Sequence, residues 1–389
     1  MNKSQIEEFF LKNYDRNRKW KPMCALEESK SFVIVCNGKQ ISSIEIKQIL
    51  TDIQHTIRAR GILGQIDTIY INIPSFNPND KLVYILLECI VYSLISIYGY
   101  NGQLRINEFI GNINTQGFLH TALGEMVQRN LSRDEFYKEH WFSIDKFHYR
   151  RIVKSDEDMM STSNMLSEIK TFLCRFSMPE EFKSTFAKII TELVDNACEH
   201  AKADCLVDID VTEPDYICTI PELEETNFYG INVVVLNFSD KCLGDEIKEK
   251  IKNHYYKDSK RYDSVENAYV FHKTRFKKAY TEEDFFNITA FQEKISGRVN
   301  ETKSGGTGLA ELIKNLQEYA YEDYCYIMTG DKGLFFKKEL LNYDENNWVG
   351  FNEDRNYLTN IPCKDALVRS HTYLPGTGYN FMFVFKEEA

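Results

Sequence analysis

The sequence predicts an α/β (α+β) protein, and three features lead to this fold class. Stretches rich in β-branched and aromatic residues, typical of buried strands, alternate with stretches whose apolar residues recur about every 3.6 positions, typical of helices. The chain has 389 residues, of which 43% are hydrophobic, so it has enough apolar surface for two or three packed domains. It contains no internal repeat and no low-complexity tract, which excludes a solenoid.

Residues 1–150 are predicted to form an N-terminal α/β domain. Strand and helix patterns alternate there at lengths that favour parallel pairing of the strands. The most apolar helix follows Asn-Pro-Asn-Asp and contains Glu88, so we expect it to be buried rather than to cross a membrane. No phosphate-binding loop or metal-ligand cluster occurs in this part of the sequence, so we predict a regulatory or interaction role. The predicted strands cover 31–36, 66–73 and 103–106, and the predicted helices cover 44–60 and 82–100.

A polar, charged stretch at 140–163 is the predicted domain boundary. The second domain then runs over 160–389 and again mixes helices with strands. Its predicted helices cover 164–176 and 180–202, a long polar helical region at 244–300, and a helix that begins at 308. Its predicted strands cover 204–211, 230–237, 324–328, 333–337 and 379–385.

Charge and cysteine content exclude several classes of function. The 58 acidic and 47 basic residues give a net charge of −11, which opposes nonspecific binding to nucleic acid or to an anionic membrane. Nucleic acid is therefore not an expected partner, and no membrane association is expected. The ten cysteines show neither a CxxC pair nor a Cys/His metal spacing, and the start of the chain is too charged for a secretion signal. These features predict a cytoplasmic protein with reduced thiols.

A polar stripe on the helix predicted at 180–202 is the first chemical motif. Glu192, Asn196 and His200 follow each other at intervals of four residues and therefore share one helix face. An asparagine oxygen is a hard, neutral ligand for Mg²⁺, and a glutamate one turn away can accept a proton from water or from a hydroxyl group. Stripes of this kind are also common on solvated helix faces, which is the alternative.

A glycine-rich segment is the second motif. Gly305, Gly306, Thr307 and Gly308 lead directly into a helix, where backbone N–H groups can approach a phosphate at the positive helix end. Lys303 precedes them and is a candidate phosphate contact. The spacing differs from GxxxxGK[ST] and from GxGxxG, which disfavours the folds that carry those motifs. A simple turn at the helix entry is the alternative.

Two further motifs lie at strand ends. The apolar run at 231–238 ends in Asn237, and Asp240 and Gly244 follow it. A polar side chain at the end of a buried strand is well placed to contact the edge of a ligand. Thr377, in the Pro-Gly-Thr-Gly segment before the last predicted strand, is the fourth motif, for which an ordinary turn is the alternative.

The order of these motifs resembles the N, G1, G2 and G3 boxes of the GHKL ATPase superfamily, which includes DNA gyrase, histidine kinases and mismatch-repair MutL. The resemblance covers 160–389, a little over half of the chain. ELVDNACEHA at 192–201 and GGTGLAEL at 305–312 are the closer matches. The segment at 166–201 looks particularly like the opening of the anti-sigma-factor serine-kinase branch.

The resemblance implies a fold and a set of ligands. The fold is a GHKL-type sandwich of helices on a mixed sheet, which binds ATP and Mg²⁺. Asn196 is then the metal ligand, and Glu192 is the base that activates water or a substrate hydroxyl group. The segment at 244–304 forms a lid over ATP, and Thr377 lies near the nucleotide. The residues implied to cap the triphosphate are Gly305, Gly306, Thr307 and Gly308.

The adenine-reading position departs from the family pattern. The family's DxGxG box begins with Asp directly after the strand, whereas this chain has Asn237 there, with Ser239 at the place of the first glycine. An alternative register uses Asp240 together with Gly244. Asparagine can accept a hydrogen bond with its carbonyl but lacks the charge of aspartate, so nucleotide preference is left open.

Three functions fit the resemblance. The first is a switch in which Mg-ATP binding and slow hydrolysis through Glu192 change the surface presented to a protein partner. The second is an anti-sigma-type serine protein kinase, in which Glu192 activates a partner's hydroxyl group and the N-terminal domain is STAS-like by its order of strands and helices. The third is a nucleotide-binding scaffold that does not hydrolyse ATP. The sequence leaves homodimerisation open, and its eight histidines lack the context of a histidine-kinase phosphoacceptor.

Overall fold

The protein is an α+β fold of four layers: a three-stranded sheet, a layer of helices, a six-stranded sheet and a second layer of helices. A computed structural model describes residues 3–18, 30–36, 38–59, 66–156, 159–212, 228–256, 259–296, 308–319 and 325–386. The strands are β1 (Ser31–Val35), β2 (Thr68–Phe76), β3 (Asn101–Phe109), β4 (Phe142–Ile144), β5 (His148–Val153), β6 (Cys205–Thr212), β7 (Phe228–Phe238), β8 (Tyr326–Phe335) and β9 (Leu367–Lys386). The helices are α1 (Lys3–Lys12), α2 (Ser43–Arg58), α3 (Lys81–Ser96), α4 (Ile113–Leu119), α5 (Ala122–Arg129), α6 (Arg133–Trp141), α7 (Met159–Leu173), α8 (Glu180–Glu199), α9 (Asp245–Lys252), α10 (Lys260–Lys273), α11 (Glu282–Thr289) and α12 (Gly308–Tyr319).

The first sheet has the order β1-β2-β3, and both of its strand pairs are parallel. Parallel neighbours need a crossover connection, and α2 and α3 are these connections. The parallel pairing predicted from the alternation of strands and helices is therefore confirmed.

Helix α3 lies between the two sheets. All of its residues from Lys81 to Ile95 are buried, because one side contacts the three-stranded sheet and the other contacts the six-stranded sheet. A helix with protein on every side is apolar all round, which explains its membrane-like composition. Among the described residues, no helix combines the length and the apolar character that a membrane span requires.

The six-stranded sheet has the order β4-β5-β6-β7-β9-β8, and every pair in it is antiparallel. The prediction of a mixed sheet is wrong for these strands. Strands β7 and β8 run in the same direction, but β9 lies between them and is antiparallel to both. The long helical connection from β7 to β8 therefore does not create a parallel pair.

Strands β4 and β5 occupy the stretch that was predicted as a domain boundary. They pair with each other, and β5 pairs with β6, so the six-stranded sheet begins at Phe142. The stretch is polar partly because β5 carries His148 and Arg150, whose side chains are buried. His148 pairs with Asp208 on β6, and Arg150 contacts Glu88 on α3. The division of the chain into 1–150 and 160–389 stays a prediction.

A buried charge cluster joins α3 to the reverse face of the six-stranded sheet, the face opposite α8. Arg150 Nε lies 2.5 Å from Asp208 Oδ2, and its guanidinium also contacts Glu88. Lys81 Nζ lies 2.7 Å from Asp208 Oδ1 and also contacts Asp210. Burial alone would raise the pKa of Asp208, but Arg150 and Lys81 hold it well below its usual range. The cluster consists of Lys81, Glu88, Arg150, Asp208 and Asp210, with His140 and His148 at its ends.

The two faces of the six-stranded sheet belong to different cores. In β7, Val233 and Val235 contact the layer of α7 and α8, whereas Val234 and Leu236 contact α3 and its neighbours. This alternation is expected for a strand that is covered on both faces. The apolar stripe predicted for α8 is buried against the first of these cores, as Phe182, Phe186, Ile189, Ile190, Leu193 and Ala197 show.

The region at 244–300 was predicted as a long polar helical region, and its described part is helical. Its described part forms the three helices α9, α10 and α11, which bury aromatic and branched side chains in the same core as α8. The charged residues that dominate its composition lie mainly on the outside. Whether any of it moves as a lid stays a prediction.

The last two strands are longer than predicted. The strands expected at 324–328 and 333–337 are one strand, β8, and β9 begins at Leu367 rather than at 379. A pairing irregularity at Gly330 divides β8 and conceals its continuity in the sequence. The positive φ of 102° at Gly376 lets β9 continue past a Pro-Gly pair.

Candidate functional site

The predicted polar stripe lies on α8 beside its buried face. Glu192, Asn196 and His200 are each partly buried. His200 Nδ1 lies 2.7 Å from Glu246 Oε2 in the first turn of α9. The end of α8 is therefore fixed to the segment that follows β7.

Two more contacts strengthen this junction. The Ser239 hydroxyl donates to the backbone oxygen of Ala201 at 3.3 Å, and Lys241 Nζ lies 2.6 Å from Glu246 Oε1. Burial alone would raise the pKa of Glu246, but its hydrogen bonds with His200 and Lys241 lower that pKa. The structure thus brings the end of the Glu192–Asn196–His200 stripe next to the loop after β7.

A polar row crosses the end of the six-stranded sheet on the α8 face. It consists of Asn237 on β7, Thr377 on β9 and Thr329 on β8, which are direct neighbours in the strand register. All three are buried, with 5%, 5% and 1% of their surface exposed. The Thr329 hydroxyl donates to Gly376 O at 2.7 Å and accepts from Leu243 N–H at 3.1 Å, which holds the loop after β7 over the row.

Asn237 has a buried oxygen without a partner. Its Oδ1 forms no hydrogen bond within the part of the chain that the structure describes. A Cβ at Gly376 would lie 2.4 Å from Asn237 O and 2.8 Å from Asn237 Oδ1, so only glycine allows β9 to approach this closely. A buried acceptor without a partner is destabilising by about 1–3 kcal/mol, and such a group is expected to have a ligand or water as its partner.

The two alternative registers for adenine reading differ in burial. Asn237 lies in the buried row, whereas Asp240 is exposed in the loop. Gly244 is the N-cap residue of α9, and its N–H donates to Asn287 Oδ1 at 3.2 Å. A Cβ at Gly244 would meet the backbone carbon of Phe286 at 2.6 Å, so this glycine is required for packing against α11.

The glycine-rich motif falls mostly outside the described residues, which do not include Lys303, Gly305, Gly306 or Thr307. Gly308 is the first residue of α12, as predicted for the helix that follows the motif. Helix α12 packs against α8 and β9, the two elements that carry Asn196 and Thr377. The phosphate-binding role of these glycines stays a prediction.

Three residues of this region were not predicted from the sequence: Thr329, Glu246 and Asn287. Thr329 and Asn287 line a cavity of about 300 Å³ beside the polar row, between the start of α9, α11 and β8. Thr329 precedes Gly330 at the bulge of β8, and a bulge has no reliable sequence signature here. Within the described ranges, no group of three or more His, Cys, Asp or Glu side chains is arranged to hold a metal ion.

Comparison with family models, curated proteins and solved structures gave no match. The resemblance to the GHKL superfamily therefore stays a prediction that is based on the four motifs.

Proposed function

We propose that this protein binds Mg-ATP between the second half of α8 and the ends of β7 and β9, and that binding and slow hydrolysis switch the surface it offers to a protein partner. The observation that carries the proposal is the buried, unpartnered Oδ1 of Asn237 beside Thr377.

The polar row supports base binding. A ligand amino group at the row would give Asn237 Oδ1 the donor that it lacks among the described residues. Thr377 adds a hydroxyl on the adjacent strand, which can donate or accept. An adenine base offers both an amino donor and ring-nitrogen acceptors, so its edge fits such a pair.

The junction at the end of α8 supports placing the phosphates near Asn196. Because His200 is fixed to Glu246, the face that carries Asn196 lies next to the loop that follows the row. Asn196 would offer a carboxamide oxygen to Mg²⁺, and Glu192 would accept the proton of an attacking water. When bound, Mg²⁺ would neutralise phosphate charge, and Asn196 is the side chain proposed to hold it. Lys303 and Gly305–Gly308 would contact the phosphates.

The layering of the protein supports a switch. The start of α9 and part of α11 line the cavity beside Thr329 of the row, and α9 contacts α8 through Glu246. A nucleotide bound at the row would therefore lie next to both α8 and α9. The finer fold assignments are part of the same proposal: a GHKL-type sandwich for the antiparallel sheet with α7, α8 and α12, and a STAS-like unit for the parallel sheet with α2 and α3.

Nucleotide titration of the full chain tests the proposal. We expect saturable ATP binding that requires Mg²⁺, and Asn196→Ala should remove the Mg²⁺ requirement together with most of the affinity. Asn237→Leu should weaken ATP binding by about tenfold or more, the loss expected for an unpaired base edge. Asp240→Ala is the matched control and should leave binding unchanged. If Asp240→Ala weakens ATP binding and Asn237→Leu does not, base reading is assigned to Asp240. If the unmodified chain does not bind ATP, the proposal is refuted.

Turnover separates the three functions that the sequence left open. Glu192→Gln should keep ATP bound while phosphate release stops. With labelled ATP in a lysate, free phosphate supports the switch, label on another protein supports the serine kinase, and binding with neither supports the scaffold.

A further inference from the structure

Asn237 differs from the other buried asparagines of the described chain. Its Oδ1 is buried without a partner among the described residues, as is Oδ1 of the partly buried Asn72 on β2. No hydrogen bond joins Asn237 Nδ2 to a described residue, whereas each of the other fully buried asparagines has at least one amide atom hydrogen-bonded within the protein. Asn232 Nδ2, for example, donates to Asp210 Oδ2 at 2.9 Å. The others are Asn13, Asn232, Asn287, Asn352 and Asn380.

An amide without a protein partner has no fixed orientation. A rotation of 180° about the bond to the amide carbon exchanges the acceptor Oδ1 with the donor Nδ2 at little change in shape. Within the described residues, the neighbouring Thr377 hydroxyl makes one side-chain contact, a long one of 3.4 Å to Thr329 Oγ1, so it too can turn to donate or accept. Both side chains that face the proposed base can therefore change their hydrogen-bonding sense.

We infer that Asn237 makes the site accept both 6-amino and 6-oxo purine nucleoside triphosphates. This inference depends on the proposed function. With Oδ1 turned toward the base, Asn237 accepts from the 6-amino group of ATP. With Nδ2 turned toward it, Asn237 donates to the 6-oxo group of GTP or of inosine triphosphate. A carboxylate at this position could only accept, so it would favour the amino group and repel the carbonyl.

Competition binding tests the inference on the full chain with Mg²⁺. ATP, GTP and inosine triphosphate each displace a fluorescent ATP analogue, and inosine triphosphate differs from ATP only at the edge read by Asn237. We expect the three dissociation constants to agree within about fivefold, because reorienting one amide changes the binding free energy by little. Asn237→Asp should then favour ATP over both 6-oxo nucleotides by about tenfold or more, the usual effect of one wrongly paired charged group.

Asn196→Asp is the matched control, since the same chemical change at the phosphate end should alter the affinity for all three nucleotides by the same factor. If Asn237→Asp does not fold, Asn237→Ala replaces it and should weaken all three nucleotides equally. Binding of ATP more than about 50-fold tighter than both 6-oxo nucleotides would overturn the inference and leave the proposed function in place. If Asn237→Ala weakens the binding of ATP but not that of the 6-oxo nucleotides, the inference is likewise overturned and the proposed function stays in place. If none of the three nucleotides binds the unmodified chain, the proposed function and the inference fail together.

Discussion

Replacing Arg150 with methionine should destabilise the protein more than any neighbouring substitution of a charged residue on β5. The Arg150 side chain is fully buried and contacts both Glu88 on α3 and Asp208 on β6. Methionine has a similar length and no charge, so Arg150→Met leaves two buried carboxylates without their shared cation. Lys81, His148 and His140 contact the same carboxylates and would compensate only in part.

The expected loss is about 3–5 kcal/mol of unfolding free energy, the range for breaking a buried ion pair by removing one partner. Arg151→Met is the matched control, because Arg151 is the next residue and pairs with Glu168 at 2.6 Å near the surface. An ion pair that is partly exposed to solvent is worth about 0–1 kcal/mol, so the control should change little. The double variant with Glu88→Gln should recover part of the loss.

Urea unfolding of the full chain, followed by far-UV circular dichroism and by tryptophan fluorescence, measures both variants under the same conditions. If Arg150→Met costs no more than Arg151→Met, the cluster is solvated in solution, and the close contact between α3 and the sheet is wrong.

Three further predictions concern the polar row, the buried charge cluster and the packing of α3 against the six-stranded sheet. Gly376→Ala should lower the unfolding free energy by about 1–3 kcal/mol, because φ is 102° and a Cβ would collide with Asn237, whereas Gly333→Ala in the roomier β8 should have a smaller effect in the same assay. Burial alone would raise the pKa of Glu88, but Arg150 and His140 lower it to about 2. The Glu88 carboxylate therefore contributes its full stabilisation above pH 4.5, and this contribution is lost as the pH falls toward 2. The difference in unfolding free energy between wild type and Glu88→Gln should shrink over that pH range. The fragment 160–389 lacks α3 and should bind a hydrophobic dye, because the apolar reverse face of the sheet is then uncovered; a fragment that unfolds cooperatively and binds no dye would support the predicted domain division.

The local sequence pattern correctly predicted elements whose apolar residues lie on one face. The helix at 180–202 was predicted because its apolar stripe packs on one side only, and α8 buries that stripe. The short apolar strands of the first sheet were predicted for the same reason. Strand β5 was missed because its charged residues point inward, where His148 and Arg150 find partners on α3 and β6. A pattern of charge alone does not distinguish a buried ion pair from a solvated surface.

At the candidate site, too, the local sequence pattern does not show which distant residues lie together. Glu192, Asn196 and Asn237 were selected from spacing and from their place at the end of a strand or on one helix face. That Asn237 and Thr377 are register neighbours depends on the insertion of β9 beside β7, which joins residues 140 positions apart. Thr329 became part of the row for the same reason, and no spacing in the sequence indicates it.

The sequence by itself determined which segments are helices and strands in most of the protein, because propensity and periodicity act over a few neighbouring residues. It also indicated Glu192, Asn196 and Asn237 as candidate site residues. Only the tertiary structure decided that the second sheet is antiparallel, that two sheets cover the helix predicted to be buried, and that Oδ1 of Asn237 is buried without a partner among the described residues. These properties follow from contacts between distant parts of the chain, where burial and pairing outweigh local preference.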